Sequence, residues 1–175
     1  IGATTHACRS ANITPPLLGD YDQRPVQALS GLNAALLNTR SLPKHAVEVF
    51  SLLQESDFNL LVLTETWLDN TSVPDIVAAL PPGFEIVHTN RPSPQRGGGV
   101  AAIFRATNTP TIIISESLED AEILGLRLPT ESGLVVIIIV YRPPYSTPFN
   151  DKLFEFLSAT LSTFRQVIVL GDFNY

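Results

Sequence analysis

Val167-Ile168-Val169-Leu170-Gly171-Asp172-Phe173-Asn174 is an apolar run that stops abruptly in polar residues. Val167 to Leu170 has the continuous hydrophobicity of a central strand buried on both faces. Gly171 then lets the backbone bend or come close to a ligand. Side chains of an extended chain alternate faces, which points Asp172 and Asn174 one way and Phe173 the other, into the packing. A hydrophobic core has no use for such an ending. A ligand site outside the carboxyl end of a strand does.

Three other strands end in the same manner. Leu32 to Asn38 runs into Leu36-Leu37-Asn38-Thr39-Arg40. Leu60 to Leu63 runs into Thr64-Glu65-Thr66-Trp67, and Leu134 to Val140 into Tyr141-Arg142-Pro143-Pro144. Both are continuous apolar runs and are expected to be central strands. Between the first two strands, Ser41 is a candidate helix N-cap with Pro43 in the first turn, and Ala46, Val49, Phe50 and Leu53 repeat at helical spacing. Phe84 to His88, Val100 to Phe104 and Thr111 to Ile114 read as further strands. Ile123 to Leu128 and Leu134 to Tyr141 form a hairpin around Pro129 to Gly133. Phe149 to Phe164 is a helix with Leu153, Phe156, Leu157, Leu161 and Phe164 on one face. Strands and helices alternate at both ends with strands between, which is a mixed α/β layered fold.

The 175 residues, 45% of them hydrophobic, are enough for one sizeable globular domain. Residues 1–27, rich in Pro, Thr, Asn and Gly, read as a linker or disordered lead-in. A net charge of -6 argues against a strongly basic nucleic-acid module but not against a nuclease, whose metal-binding carboxylates are themselves negative. One cysteine, Cys8, leaves no internal disulfide partner, and an intracellular compartment is expected. No run approaches the roughly 20 residues that a membrane-spanning helix needs, so no membrane association is expected. The oligomeric state is not legible.

Glu65 and Asp172 are hard oxygen ligands of the kind Mg²⁺ accepts, with water and phosphate completing an octahedron. Arg40, Lys44 and Arg142 stand beside the four strand ends and are candidate phosphate contacts.

At these residues the chain resembles the exonuclease-endonuclease-phosphatase family. Asn38, Glu65 in Thr-Glu-Thr-Trp-Leu, Tyr141 in Tyr-Arg-Pro-Pro, and Asp172 and Asn174 in Gly-Asp-Phe-Asn follow the family's order and spacing. Leu37-Asn38-Thr39-Arg40-Ser41-Leu42, Arg96-Gly97-Gly98-Gly99-Val100-Ala101 and Tyr141-Arg142-Pro143-Pro144 resemble its LINE-type non-LTR retrotransposon endonuclease branch. The likeness covers about Leu32 to Tyr175. It implies a layered α/β sandwich of two mixed sheets flanked by helices, with residues 28–175 forming the N-terminal portion of such a domain. It implies Mg²⁺ (or Mn²⁺) as cofactor, DNA as partner, a nuclear location, and in-line attack by water on a phosphodiester. In that reaction the resemblance gives the metal to Glu65 and Asp172, with Asn38 orienting it or a phosphate oxygen. Asp172 also positions or deprotonates the attacking water, steadied by Asn174, and Tyr141 bonds the scissile phosphate. The family's C-terminal Asp-His pair is not in this sequence, and His6, His45 and His88 stand elsewhere. Both ends read as cuts, so a truncated, inactive form is expected.

Other readings share these residues. A phosphoinositide or sphingolipid phosphodiesterase of the same family would differ in its loops, and a non-catalytic remnant would keep the fold alone. Singly, Asn38 can cap a turn, Glu65 can be a surface charge, and Asp172 with Asn174 can mark a turn. Trp67 is expected to pack rather than to stack on a base. Glu116 to Glu122 is expected to be a solvated edge, and the Asn90 to Gly99 loop, with Arg91 and Arg96, is either a contact that follows a DNA backbone or a solvated connection.

Overall fold

The computed structural model describes residues 29–89, 97–118, 121–144 and 151–174. The expected lead-in over 1–27 lies outside them, as do Arg91 and Arg96. Among the described residues these α-helices and strands follow one another, with a 3-10 turn at Ala106–Asn108 after β4: β1 Ala34–Asn38, α1 Leu42–Glu55, β2 Leu60–Thr64, α2 Val73–Ala79, β3 Phe84–Thr89, β4 Val100–Arg105, β5 Thr111–Leu118, β6 Ala121–Thr130, β7 Gly133–Tyr141, α3 Asp151–Thr163 and β8 Val167–Asp172. The strands make two four-stranded sheets, ordered β1-β2-β4-β3 and β5-β6-β7-β8. β1 with β2 and β7 with β8 are parallel, and the other neighbours are antiparallel, so both sheets are mixed. Each parallel pair is joined through a helix, as parallel strands require.

Three apolar layers hold this together. Leu60, Val62 and Phe104 of the first sheet meet Leu124, Leu126, Ile137 and Ile139 of the second. α1 and α2 cover the outer face of the first sheet through Val49, Phe50, Leu53 and Ile76. α3 covers the outer face of the second through Leu153, Phe156 and Leu157. Burying each such side chain stabilises by roughly 1.5–3 kcal/mol. The result is a helix–sheet–sheet–helix sandwich.

The helical face of α1 is as the spacing predicts, with Val49, Phe50 and Leu53 buried. Ser41 does precede the helix, but its hydroxyl makes no capping bond. In α3 the buried position is Thr160, not Leu161, which is 57% exposed. Thr160 lies two turns beyond Leu153 and in phase with it, and its hydroxyl is satisfied by the Phe156 carbonyl. α2 has no counterpart in the sequence reading, because seven residues carry too little periodicity. Asp69 fixes its entry: one carboxylate oxygen accepts the Thr71 and Ser72 amides and both hydroxyls.

β2 is buried along its whole length, and β7 from Val136 onward. Among the described residues β8 is the outermost strand of its sheet, with Ile168 exposed. Val167 and Val169 face α3 while Leu170 faces the other sheet. β1 is likewise an edge, and the two edge strands lie against each other across the layer.

Two outcomes test this arrangement. A methyl group at Gly171 would overlap the Val140 carbonyl of the neighbouring strand; Gly171→Ala should therefore lower stability by about 1–3 kcal/mol in urea unfolding. The hydrogen bond from the Thr71 hydroxyl, then those of Ser72, hold Asp69 down from 3.8 to about 2. Its stabilisation is present above the unfolded value and should be lost as pH falls from about 4 toward 2; an NMR titration of Asp69 reads this directly.

Candidate active site

The carboxyl ends of β1, β2, β7 and β8 come together on one side of the sandwich. Asn38 ends β1, and its amide nitrogen donates to Glu65 Oε1 at 3.0 Å and to Asp172 Oδ2 at 2.9 Å. Its carbonyl oxygen accepts the Arg40 amide at 3.2 Å. The two carboxylates are therefore no farther apart than two hydrogen bonds laid end to end. One carboxamide ties the first sheet to the second and also turns the chain into α1.

Main-chain bonds fix Glu65. Thr39 donates to the Thr64 carbonyl, Ser41 to that of Glu65 and Leu42 to that of Thr66. Thr66 and Trp67 in turn donate to the carbonyls of Gly99 and Gly98. Three loops are zipped side by side, and Glu65 sits in the middle one. Gly99 has φ +85, and a Cβ there would meet the Thr66 hydroxyl at 2.5 Å. The close approach of these loops therefore requires glycine. Among the described residues the non-glycine positive-φ positions are Arg40, Ser41, Glu65, Trp67 and Asn174, all at this mouth. Such conformations cost of order 1–3 kcal/mol each and gather where side chains must be aimed.

Tyr141 pairs with Asp172 on one side and Glu122 on the other, and it is buried between the sheets. Asn174 departs from the expected alternation because its φ is +41. Its amide donates to the Arg142 carbonyl at 2.8 Å. Arg142 corrects its reading as a DNA contact: it is 3% exposed. Its guanidinium donates to the carbonyls of Phe173 at 3.3 Å and Asn174 at 2.9 Å, and its amide donates to that of Asp172 at 2.8 Å. The cation braces the Gly-Asp-Phe-Asn turn from inside, and Phe173 packs toward α3 as expected.

Arg40 and Lys44 are exposed at the mouth. Trp67 is exposed rather than packed, with the Lys44 ammonium 5.7 Å from its ring centre. Glu122 is 3% exposed, with the Gly99 amide donating to it at 3.4 Å, which corrects the solvated-edge reading. Glu122, Leu124, Leu126 and Leu128 alternate along β6, and that period could have shown Glu122 facing inward. His45 lines a groove of about 510 Å³ beside Asn38 and Arg40.

Two carboxylates with a neutral amide between them are a partial ligand set. No group of three or more His, Cys, Asp or Glu that could hold a metal occurs among the described residues. Mg²⁺ commonly takes only one or two carboxylates and leaves the rest to water and phosphate. Thr64, the register partner of Asn38, buries a hydroxyl without a hydrogen-bond partner among the described residues, as does Thr66. The residues present fit a hydrated divalent ion.

A model of the Endonuclease/Exonuclease/phosphatase family matches residues 32–175. The RNA-directed DNA polymerase from mobile element jockey of Drosophila melanogaster is 27% identical over 143 residues, 82% of this chain and 15% of that protein. Its counterpart in Drosophila funebris is 27% identical over 77% of this chain and 14% of its own. Among solved structures, the 3' phosphatase NExo from Neisseria, bound to a product DNA hairpin, superposes with TM-score 0.59 at 18% identity, over 82% of this chain and 58% of that one. The endonuclease domain of TRAS1, a telomere-specific non-LTR retrotransposon, gives 0.53 at 13% identity, over 82% and 59%. The chain thus spans under two-thirds of these structures and about a seventh of the curated relatives.

The Arg142 brace has a measurable signature. Arg142→Met leaves two carbonyls without their donor and should cost about 1–3 kcal/mol in urea unfolding. Asn174→Ala should cost less, and the double variant less than both together, because they brace one junction. Strictly additive losses would contradict a shared brace.

Proposed function

Because the chain belongs to the endonuclease/exonuclease/phosphatase family, we propose that it is the DNA-nicking endonuclease of a LINE-type non-LTR retrotransposon, acting with Mg²⁺ or Mn²⁺. What carries the reading is Asn38, bonded at once to Glu65 and Asp172 where strands of both sheets end. The jockey proteins favour DNA over a phospholipid as substrate, since they come from mobile elements. A nuclear location follows from that substrate.

Glu65 and Asp172 are the carboxylates that would hold the ion, with Asn38 keeping them together against their like-charge repulsion. Bound there, the ion supplies neutralisation of charge developing on the phosphate. Asp172, on the second sheet, accepts the proton of an attacking water or orients it. Asn174 and Arg142 keep the turn that aims Asp172. The Tyr141 phenol, beside Asp172 in register, bonds the phosphate undergoing attack. General acid–base assistance of this kind contributes typically 10²–10⁴-fold.

The test pairs titration calorimetry with Mn²⁺ and nicking of supercoiled plasmid with Mg²⁺. Glu65→Ala and Asp172→Ala should each weaken Mn²⁺ binding by about 10–100-fold and abolish nicking. Metal binding and nicking that survive both substitutions would overturn the assignment.

A further inference from the structure

We propose that Trp67, with Lys44, is a contact for the DNA strand beside the scissile phosphate: the indole takes a base or sugar and the ammonium takes the neighbouring phosphate. The inference deepens the nuclease reading and rests on it for the choice of DNA.

Trp67 stands two residues after Glu65 and is 42% exposed. The apolar anchor at this strand end is the next residue, Leu68, which is 6% exposed and packs with Leu42 and Leu53 under the first sheet. The indole is thus not needed to close the core. It is turned outward by a left-handed backbone, φ +52, at a non-glycine position, which L side chains adopt only at a cost. The bond from its amide to the Gly98 carbonyl at 2.9 Å holds that turn. Gly97, with φ +81, lies against one edge of the ring, where an added Cβ would touch the indole nitrogen at 3.5 Å. The ring is held rather than free, which reduces the ordering cost of binding.

Its neighbours are cationic. The bonds from Ser41 and Leu42 to the carbonyls of Glu65 and Thr66 draw the first turn of α1 against this loop. That places the Lys44 ammonium 5.7 Å from the ring centre, within cation–π range. Arg40, exposed with φ +43, lies two residues beyond Asn38. In a chain of net charge -6, a local pairing of aromatic surface with cations suits a ligand that is itself flat rings on an anionic backbone.

Trp67 is the sole tryptophan of the sequence, so its emission reports this site alone. The experiment titrates the 175-residue chain with a short DNA duplex and with its single strand, in Ca²⁺, reading intrinsic fluorescence and the anisotropy of labelled DNA. Quenching should track the anisotropy. Trp67→Ala should weaken binding by about tenfold and Trp67→Phe by less. Lys44→Met should reduce the salt dependence of binding by about one phosphate contact. Circular dichroism establishes that each variant is folded; if Trp67→Ala is not, Trp67→Phe and the wild-type quenching decide. Binding with unchanged emission and wild-type affinity in both tryptophan variants would overturn the proposal while leaving the nuclease reading intact. No binding by the wild type would overturn it as well. Quenching together with metal binding that ignores Glu65 would keep the DNA contact and remove the hydrolytic reading.

Discussion

One carboxamide holds the two sheets together at the site. Asn38 donates from a single nitrogen to Glu65 and to Asp172, which belong to different sheets and are separated by most of the described chain. Two carboxylates this close repel each other, and a shared neutral donor offsets part of that repulsion. Its carbonyl is used too, in turning the chain toward α1. Both donors and one acceptor direction of that side chain are therefore tied to the position of another part of the fold.

The rest of the architecture serves that contact. The two parallel pairs send β1, β2, β7 and β8 to the same side, and the edge positions of β1 and β8 leave their ends open there. Loops 39–42, 64–67 and 98–99 are bonded to one another through main-chain groups, while Arg142 plays the corresponding part for 172–174 from within. Rigid loops of this kind hold left-handed residues that a flexible loop would release. Preorganisation is what an electrostatic catalyst needs, because groups already in place do not have to reorganise during the reaction.

Much of this was legible in the sequence, and the limits have physical causes. Continuous apolar runs gave β2 and most of β7, and polar residues at four strand ends gave the mouth of the site. The resemblance that those residues carry holds for residues 32–175. A run of β-branched residues does not say whether its two apolar faces come from a central position or from an outer strand packed on both sides, and among the described residues β8 is an outer strand. Charge type alone does not say whether an arginine seeks a phosphate or a main-chain carbonyl; that depended on the left-handed turn at Asn174, which no local pattern announces. Glu122 was hidden for a different reason, since the acidic residues around it outweighed the alternation that turns it inward. Leu161 and Thr160 differ by one position, and hydrophobicity favoured the wrong one.

The Asn38 junction is the proposed site of a divalent cation. Paramagnetic broadening of the amide and side-chain NMR signals by substoichiometric Mn²⁺ tests it most directly, because it locates the ion without requiring turnover. Signals of Asn38, Glu65 and Asp172 should broaden first and together, and Asn38→Ala should weaken the effect. Broadening that begins instead at Asp69, at Glu48 or along the acidic residues preceding β6, with the Asn38 signals unmoved, would contradict it.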